Sequence, residues 1–271
     1  MEIQGNEMED LSHYNPEGSE MRKIQMKMFD MLVILDEICN RHQISYWLAG
    51  GTLIGANNYQ GFIPWDDDID VHMLRKDYKK LIRILVKELP DDLKMQTRHT
   101  DKGFRYYWAK IRDTKSYICE LETSMYSYKY NGIFLDIFPV EPFLSMWLKK
   151  KMDVLRIRFE IRKYTKNKLE KCFNYALGLF YPLPFLYTAF VRLVYRFKKT
   201  RFYTFGPGIT AYDIYPVENI FPMSKICFEG RYFNAPHLVD NYIFNAYGRD
   251  CKGLPPVENR LSHISSVTFY E

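Results

Sequence analysis

Residues 46–78 read YWLAGGTLIGANNYQGFIPWDDDIDVHMLRKDY, and the local structure they predict sets the architecture of the chain. Residues 44–49 are an apolar run typical of a short buried strand. Gly50-Gly51-Thr52 follows at once and opens an apolar helical turn. Residues 65–73 then alternate between acidic and apolar side chains in their second half, which is typical of a second strand. The stretch therefore predicts strand, glycine turn, helix and acidic strand in succession.

Four carboxylates lie within five residues, at Asp66, Asp67, Asp68 and Asp70. In a strand, Asp66, Asp68 and Asp70 would share one face while the apolar residues between and after them face the core. Like charges at that spacing repel unless a cation holds them, and hard oxygen ligands select Mg²⁺, Mn²⁺ or Ca²⁺. A solvated acidic turn is the alternative, but the apolar neighbours favour a core strand. An EF-hand calcium loop is excluded, because its sixth position would be Val71 instead of glycine.

The glycine turn and the acidic strand together indicate a class of chemistry. Glycines at the start of a helix let backbone N–H groups approach a phosphate, and the helix N-terminus favours the anion. Gly50-Gly51-Thr52 alone is weak support, since many such turns are only turns. An Asp-x-Asp strand follows 16 residues later and would bind a metal next to the phosphate. Phosphoryl transfer requires a metal and a phosphate at one place.

Outside this stretch the chain alternates between helical and strand-like segments. Apolar spacing predicts helices over 21–42, 76–89 and 236–247, and apolar or alternating runs predict strands over 106–112, 117–122 and 133–138. This mixture predicts an α+β (mixed α/β) fold. We predict four parts: a polar leader (1–20), a catalytic core (21–143), a basic and aromatic helical insertion (144–215), and a C-terminal part that completes the active site (216–271).

Composition limits the compartment and the class of protein. With 47% hydrophobic residues in 271, the chain can bury a sizeable core. Its five cysteines are odd in number and form no C-x-x-C pair, which argues against a disulfide framework and a zinc knuckle. The first 20 residues are polar and contain no apolar secretory stretch. We therefore expect a cytoplasmic protein.

The insertion concentrates positive charge around an uncharged aromatic segment. Between Lys149 and Arg201 there are 15 Lys or Arg residues against three acids, whereas residues 172–191 carry no formal charge. Pro182 and Pro184 break a spanning helix near its middle. The segment therefore predicts either contact with an anionic membrane surface, at the inner face of the membrane, or an insertion that packs on the protein's own core. Nucleic acid is disfavoured, because no nucleic-acid module accompanies the charge.

The motifs of residues 46–78 resemble those of the LicD family of phosphotransferases, which includes bacterial phosphocholine transferases and, more distantly, fukutin and fukutin-related protein. The elements G-G-T-L-x-G, G-F-I-P-W-D-D-D-I-D and R-x-D-Y all occur in order. The resemblance extends over about 21–143 and 218–264, through four further pieces: AKIRDT (109–114), GIFLDIFP (132–139), Tyr247-Gly248 with Pro255-Pro256, and Arg260-x-x-His263. No zinc-site cysteines like those of fukutin-related protein are present in the sequence.

The resemblance implies a nucleotidyltransferase-superfamily fold, a small mixed sheet flanked by helices, and a metal site. It assigns Asp68 and Asp70 as ligands of Mg²⁺, with Mn²⁺ as a substitute, and Asp136 as the third carboxylate on a neighbouring strand. A buried acid paired with an arginine is the alternative for Asp136. Either Asp136 or Asp66 would act as the base, while Asp66 and Asp67 could instead orient loops. The amides of Gly50, Gly51 and Thr52 would hold a phosphate.

The resemblance also implies a reaction. The enzyme would transfer a phospho-alcohol, with CDP-choline the favoured CDP-alcohol donor, to a sugar hydroxyl of a cell-surface glycan or lipid-linked glycan, and release CMP. The glycan would be lipopolysaccharide, teichoic acid or a capsule precursor. One alternative is a nucleotidyltransferase that moves NMP and releases pyrophosphate. Another is a non-catalytic, membrane-docked scaffold.

Four further side chains are candidates for binding the substrate. Lys110 and Arg112 are two residues apart, so on a strand they face one way and would clamp a phosphate, unless they only line a solvated face. Arg260 and His263, related as i and i+3, would reach the nucleotide phosphates. Choline would need an aromatic cage, for which Tyr46, Trp47 and Trp65 are near in sequence without one being preferred.

Overall fold

A computed structural model describes residues 9–120, 128–162, 165–260 and 262–270 of the chain. The first eight residues of the predicted leader and the end of the strand predicted over 117–122 lie outside these ranges. The described helices are α1 (Glu20–Arg41), α2 (Gly50–Tyr59), α3 (Arg75–Glu88), α4 (Met146–Ile161), α5 (Lys168–Ala176), α6 (Pro182–Phe197), α7 (Val217–Ile220) and α8 (Val239–Tyr247).

The strands form one larger mixed sheet and two small antiparallel pairs. They are β1 (Trp47–Leu48), β2 (Asp70–Leu74), β3 (Leu93–Gln96), β4 (Ala109–Asp113), β5 (Ser116–Glu120), β6 (Phe134–Pro142), β7 (Phe202–Phe205), β8 (Tyr215–Pro216), β9 (Ser224–Phe228), β10 (Arg231–Ala235) and β11 (Ile264–Phe269).

The larger sheet runs in the order β1-β2-β6-β4-β3. Strands β2 and β6 are parallel, whereas β1, β4 and β3 join antiparallel. Strand β7 pairs with the second half of β6, and β8 pairs with β7. Strands β9 and β10 form a hairpin, and β11 pairs with β5. This mixed sheet flanked by helices confirms the predicted α+β fold.

Amphipathic helices cover the sheet and bury a continuous apolar core. Helix α1 begins where the Ser19 hydroxyl accepts a hydrogen bond from the backbone N–H of Arg22 at 3.2 Å, as expected of an N-cap. Helix α3 buries Leu81 and Leu85, one helical turn apart, against the sheet. Both helices begin and end within one residue of the predicted bounds, because their apolar stripes are long and regular.

The predicted strand over residues 65–73 is wrong in its first half. Strand β2 begins only at Asp70, and the chain before it turns, with the backbone N–H of Asp66 donating to the carbonyl of Ile63 at 2.9 Å. The alternation argument therefore does not apply to Asp66. Within residues 226–233, Glu229 and Gly230, both with positive φ, form the turn of the β9–β10 hairpin.

The predicted insertion contains both a helical hairpin and sheet strands. Helix α4 packs antiparallel against α5 and α6: Phe159 stacks on Tyr181 with ring centroids 3.7 Å apart, and the Tyr187 hydroxyl donates to the carbonyl of Ser145 at 3.5 Å. Strands β7 and β8 instead belong to the larger sheet, so the helical part of the insertion ends near Phe197.

The pairing of α4 with α5 and α6 leaves an apolar surface on the hairpin. Within the described ranges, residues 168–197 are the one helical stretch long and apolar enough to cross a membrane by length and composition. Pro184, Thr188 and Val191 are buried against the protein, whereas many larger apolar side chains are exposed. Packing on the protein's own core thus accounts for one face of α6, whereas contact of the exposed face with a membrane stays a prediction.

Candidate active site

A glycine corner opens α2 beside two of the acidic residues. Gly50 has φ of +55°, in the left-handed region that favours glycine. A Cβ atom at Gly50 would collide with the carboxylate of Asp70, and one at Gly51 would collide with that of Asp66. The first N–H groups of a helix have no acceptor within the helix, and the positive end of its dipole lies there. The corner therefore brings helix-terminal amides and carboxylates to one place.

Thr52 ties the glycine corner to β2. Its buried hydroxyl accepts a hydrogen bond from the backbone N–H of Asp70 at 2.8 Å. The N–H of Ala49 donates to the carbonyl of Asp70 at 3.0 Å. The side chain of Thr52 is thus structural, whereas its amide belongs to the first turn of α2, where a phosphate would be held.

Asp70 and Asp136 lie side by side on the two parallel strands. They are register partners at the start of the β2–β6 pairing, and the N–H of Asp136 donates to the carbonyl of Ile69 at 2.8 Å. The third carboxylate is therefore on the neighbouring strand, as the family resemblance implies. Its role in catalysis stays a prediction.

Asp68 belongs to a group of ligand atoms that includes two other residues. Oxygen atoms of Asp66 and Asp68 and a ring nitrogen of His263 all lie within 4.8 Å of one another. The Nδ1 atom of His263 is 4.0 Å from Oδ2 of Asp68. The fold thus returns the C-terminal segment to the acidic turn and brings His263 to the site, although 195 residues separate it from Asp68 in sequence.

The carboxylates raise one another's pKa values. Burial raises the pKa of Asp70 well above its ordinary value, and Asp68, Asp136 and Asp66 raise it further by repulsion. Burial likewise raises the pKa of Asp68 to about 6, with His263 opposing and Asp136 adding to the effect. The pKa of Asp66 is raised for the same two reasons. A site of this kind favours protonation or a bound cation.

Asp67 anchors the C-terminal segment. Its side chain is fully buried and accepts hydrogen bonds from the Ser262 hydroxyl, from Nδ1 of His263 at 3.0 Å and from the N–H of Ile264 at 2.6 Å. Burial opposes ionisation, but these hydrogen bonds keep the pKa of Asp67 below its ordinary value. Asp67 therefore orients a loop, which was one of its predicted roles.

Lys110 and Trp108 hold the carboxylate of Asp136. The ammonium of Lys110 donates to Oδ2 at 2.9 Å and the indole Nε1–H of Trp108 donates to Oδ1 at 2.8 Å. Both charged side chains are almost fully buried. Burial raises the pKa of Asp136, and Lys110 opposes that rise. The partner of the buried acid is thus a lysine, whereas the predicted alternative was an arginine.

Lys110 and Arg112 share the ring of Phe134, with the Lys110 ammonium 3.3 Å and the Arg112 guanidinium 4.7 Å from its centre. Arg112 is fully buried and donates to Oε1 of Gln96 at 2.8 Å and to the carbonyl of Gly132 at 2.8 Å. Neither residue lines a solvated face, and Arg112 is not accessible to a phosphate, so both interpretations of the pair need correction. Lys110 donates to Asp136 of the carboxylate cluster, and the charge of Arg112 also opposes the rise in the pKa of Asp136.

Arg260 and His263 also serve different purposes. Arg260 donates to Glu9 at 2.5 and 2.9 Å and to the Tyr14 hydroxyl at 3.2 Å, and its guanidinium lies 5.1 Å from the centre of a Trp65 ring. It therefore joins the N-terminal segment to the C-terminal one. His263 is more exposed, and its hydrogen bond to Asp67 raises its pKa to about 9. The structure brings only His263 to the carboxylates.

The rings proposed for a choline cage are not available to a ligand. Tyr46 and Trp47 are fully buried, and their polar atoms donate to Asp36 at 2.6 Å and Tyr242 at 2.9 Å. Trp65 lies beneath Arg260. Sequence reasoning instead missed Trp108, although it shares a strand face with Lys110 by simple alternation.

The donor set at the site fits a hard divalent cation. Asp66 and Asp70 lie against the N-terminus of α2, and Asp66, Asp68 and Asp136 are close enough to Asp70 to raise its pKa. Oxygen ligands of this kind are those that Mg²⁺ and Mn²⁺ prefer. Together with the glycine corner, the cluster can hold the metal and phosphate of a phosphoryl donor.

Comparison with known proteins agrees with this geometry. Residues 43–184 match the family model described as LicD/FKTN/FKRP, nucleotidyltransferase domain. The chain belongs to the LicD family. It is a phosphotransferase, and the LicD match spans the glycine corner, the acidic turn, Asp136 and most of the helical hairpin.

The chain is also similar to individual proteins of known sequence. It is 29% identical over 261 residues to the lipopolysaccharide cholinephosphotransferase LicD of Haemophilus influenzae, covering 90% of this chain and 95% of the relative. It is 35% identical over 63 residues to an uncharacterised protein of Rickettsia prowazekii, covering 23% of this chain and 24% of that protein. The first similarity includes nearly the whole length of both chains.

Proposed function

We propose that this enzyme transfers phosphocholine from CDP-choline to a sugar hydroxyl of lipopolysaccharide and releases CMP. The observation that carries the proposal is the contact of Asp66 and Asp70 with the glycine corner, with Asp68 and Asp136 close enough to raise the pKa of Asp70, in a LicD-family chain. The relative from H. influenzae, which is similar over 90% of this chain, is named for transfer of phosphocholine to lipopolysaccharide. That name supports choline as the alcohol and lipopolysaccharide as the glycan.

The proposed cofactor is Mg²⁺, with Mn²⁺ as a substitute, bound by Asp68, Asp70 and Asp136. Carboxylate oxygens suit these ions better than the imidazole of His263 does. The metal would neutralise the diphosphate of the donor and stabilise the charge that develops on transfer. The amides of Gly50, Gly51 and Thr52 would bind the phosphate at the N-terminus of α2.

The transfer itself is one displacement at phosphorus. The sugar hydroxyl oxygen forms a bond to the phosphorus of the phosphocholine group, and the bond from that phosphorus to the bridging oxygen breaks. The electron pair leaves with CMP. The hydroxyl proton goes to a carboxylate, and Asp66 suits this role better than Asp136, because both oxygens of Asp136 already accept hydrogen bonds from Lys110 and Trp108.

We further propose that the enzyme works in the cytoplasm at the inner face of the membrane. Leu179 is 84% exposed and Leu186 62% exposed on the hairpin surface. Basic residues between 192 and 201 follow the apolar surface. An apolar face with a basic border is the composition that binds anionic lipid headgroups, and a lipid-linked acceptor would be found there.

The test is a set of incubations of purified enzyme with lipopolysaccharide, Mg²⁺ and one of CDP-choline, CDP-ribitol or CDP-glycerol. We expect CMP release that depends on CDP-choline and Mg²⁺, with choline recovered on the lipopolysaccharide. A chelator should stop the reaction and added Mg²⁺ should restore it. Turnover of CDP-ribitol or CDP-glycerol in place of CDP-choline would contradict the choline assignment.

A parallel incubation with CTP in place of the CDP-alcohol tests the competing reaction. A nucleotidyltransferase that moves NMP would release pyrophosphate from a nucleoside triphosphate and leave the nucleotide on the acceptor. Phosphocholine transfer leaves CMP in solution and no pyrophosphate. Pyrophosphate release with nucleotide on the acceptor would contradict our proposal.

A further inference from the structure

A cavity of about 860 Å³ lies between the loop before β4 and the helical hairpin. Residues 98–108 form one wall, and the end of α4 with Tyr181 forms the opposite wall. The back of the cavity is closed by Phe138, Phe205 and residues 208–211. Its described lining includes neither the glycine corner nor the acidic turn. The cavity is therefore separate from the site assigned to the donor's phosphates.

Stacked aromatic rings cover the side of the cavity nearest the sheet. The rings of Tyr106 and Trp108 have centroids 4.2 Å apart, and those of Trp108 and Phe138 are 4.9 Å apart. All three side chains are half-buried, so each ring retains an accessible part. A row of aromatic faces suits the apolar C–H faces of sugar rings, since the side chains are large and rigid.

The rim of the cavity is strongly basic. Among the residues that the structure describes, its charged lining consists of four cations and one carboxylate: Arg98, Lys102, Arg105, Arg162 and Glu160. Glu160 already accepts hydrogen bonds from Arg98, at 3.0 Å, and from the Tyr107 hydroxyl. Lys102 is exposed at the mouth. The field at the entrance therefore attracts an anionic ligand.

One hydrogen bond connects this cavity to the carboxylate cluster. Trp108, whose ring lines the cavity, donates its indole N–H to Oδ1 of Asp136 at 2.8 Å. Asp136 is in turn the register partner of Asp70. A ligand resting on Trp108 therefore lies next to the residues proposed to bind the donor's metal.

We propose that this cavity is the acceptor subsite and that it takes an anionic saccharide. The inference rests on the proposed transferase function and names the chemistry of its acceptor. The aromatic side packs the sugar, while Arg98, Lys102, Arg105 and Arg162 attract its phosphate or carboxylate groups. The saccharide is held with a hydroxyl directed towards the cluster around Asp136.

The basic rim argues against choline as the occupant. A quaternary ammonium ion also binds aromatic faces, but the described lining carries Lys102 and two further arginines besides the Arg98–Glu160 pair. A net positive charge at the rim repels a cationic group and attracts an anionic one. The aromatic row and the rim thus agree on a saccharide that carries negative charge.

The test compares Lys102→Glu with Lys225→Glu. Lys225 is an exposed lysine on β9 that does not line the cavity. Kinetics would use CDP-choline and lipopolysaccharide, with CMP release in the absence of acceptor measured separately. We expect Lys102→Glu to raise the KM for lipopolysaccharide about tenfold, as expected for reversing one charge at the mouth. The KM for CDP-choline and the acceptor-free release of CMP should stay unchanged. Lys225→Glu should behave as the wild type.

Binding by calorimetry tests the cavity independently of turnover. The ligand is lipid-free core oligosaccharide of lipopolysaccharide, used intact, dephosphorylated or carboxyl-reduced, so that the two sources of negative charge are distinguished. We expect wild-type affinity to fall with one or both treatments and Lys102→Glu to bind all forms weakly. Equal affinity of the wild type for intact and fully neutralised oligosaccharide would overturn the inference, as would a raised KM for CDP-choline alone. Oligosaccharide binding without turnover of CDP-choline would overturn only the proposed donor.

Discussion

Asp68 shows what the crowding of negative charge does at a single residue. Burial raises its pKa to about 6, and Asp136 and Asp67 add repulsion that His263 partly offsets. A carboxylate whose pKa is raised by folding makes the fold less stable at neutral pH than a neutral side chain of the same shape. This arrangement is typical of a functional site, where stability is given up for ion binding.

Asp68→Asn should therefore separate activity from stability. The amide removes a charged metal ligand, so we expect phosphocholine transfer to fall about 10²-fold or more. We expect the thermal unfolding midpoint without metal to stay the same or rise, because a repelling charge is lost. Added Mg²⁺ should raise the midpoint of the wild type but not of the variant. Asp91→Asn, at an exposed site, is the control. Full activity of Asp68→Asn would contradict the ligand assignment.

Asp67, directly beside Asp68, should respond in the opposite way. Asp67→Ala leaves the N–H of Ile264 and the side chains of Ser262 and His263 without their acceptor. Losing hydrogen bonds to a buried charge costs about 2–3 kcal/mol, so the free energy of unfolding in urea should fall by that amount. Asp91→Ala, measured in the same way, should change it little. An unchanged midpoint for Asp67→Ala would show that the C-terminal segment does not depend on this anchor.

The sequence predicted some residues of the site better than others. Asp70 and Asp136 each lie in a motif shared with the LicD family that occupies a single strand, so the local sequence was enough to identify them. The different fates of Lys110 and Arg112 could not be predicted, because alternation says which face they share and not which partners they meet. Arg112 meets Gln96 and a carbonyl in the core, contacts that depend on how β3 and residue 132 pack.

At the scale of elements, long helices were predictable and short strands were not. Helix α3 has a regular apolar stripe that the sequence displays without reference to the rest of the chain. Strands β3 and β7 are four residues each, and they form because distant segments offer an unpaired edge. Strand β2 begins late for a similar reason: the buried Asp67 turns towards residues 262–264, which no local pattern contains.

The hairpin surface should control binding to membranes. Leu179→Glu combined with Leu186→Glu places two charges on the exposed apolar face, and α6 keeps its buried Pro184, Thr188 and Val191. We expect binding to phosphatidylglycerol-containing vesicles, measured by co-sedimentation, to fall roughly tenfold or more. Two leucines that are partly buried in the lipid when the protein is bound contribute a few kcal/mol at most. This pair of substitutions is a sharper test than deletion of 172–191, which would also remove the packed face.

The matched control for the hairpin is Tyr232→Glu. This side chain is 69% exposed on β10, outside the hairpin surface, so the variant adds a charge at a comparable apolar position. It should bind vesicles like the wild type. Vesicles of phosphatidylcholine alone should bind the wild type more weakly, because the basic border then has no anionic lipid to meet. Unchanged binding of the double variant would contradict docking through this surface.

At the scale of the whole molecule, a buried polar contact joins the central sheet to the C-terminal part. The hydroxyl of Tyr242 in α8 accepts a hydrogen bond from Nε1 of Trp47 at 2.9 Å and lies 2.8 Å from Nδ1 of His72. Tyr215 stacks on Tyr242 with ring centroids 4.3 Å apart. Residues 47, 72, 215 and 242 thus lie in one cluster, so the C-terminal part completes the same core that carries β2.

His72 should make the stability of this core depend on pH. Burial lowers its pKa from 6.5 to about 3, so between these values the unfolded chain binds a proton that the folded one does not. The free energy of unfolding therefore loses about 1.4 kcal/mol per pH unit as the pH falls below 6.5, and gains nothing from His72 above it. His72→Gln keeps an acceptor for Tyr242 but cannot titrate. Between pH 6.5 and 4.5, the slope of the free energy of unfolding in urea against pH should thus be about 1.4 kcal/mol per pH unit more positive for the wild type than for the variant, while exposed His237→Gln keeps the wild-type slope. Parallel curves for wild type and His72→Gln between pH 6.5 and 4.5 would mean that His72 accepts a proton in the folded state.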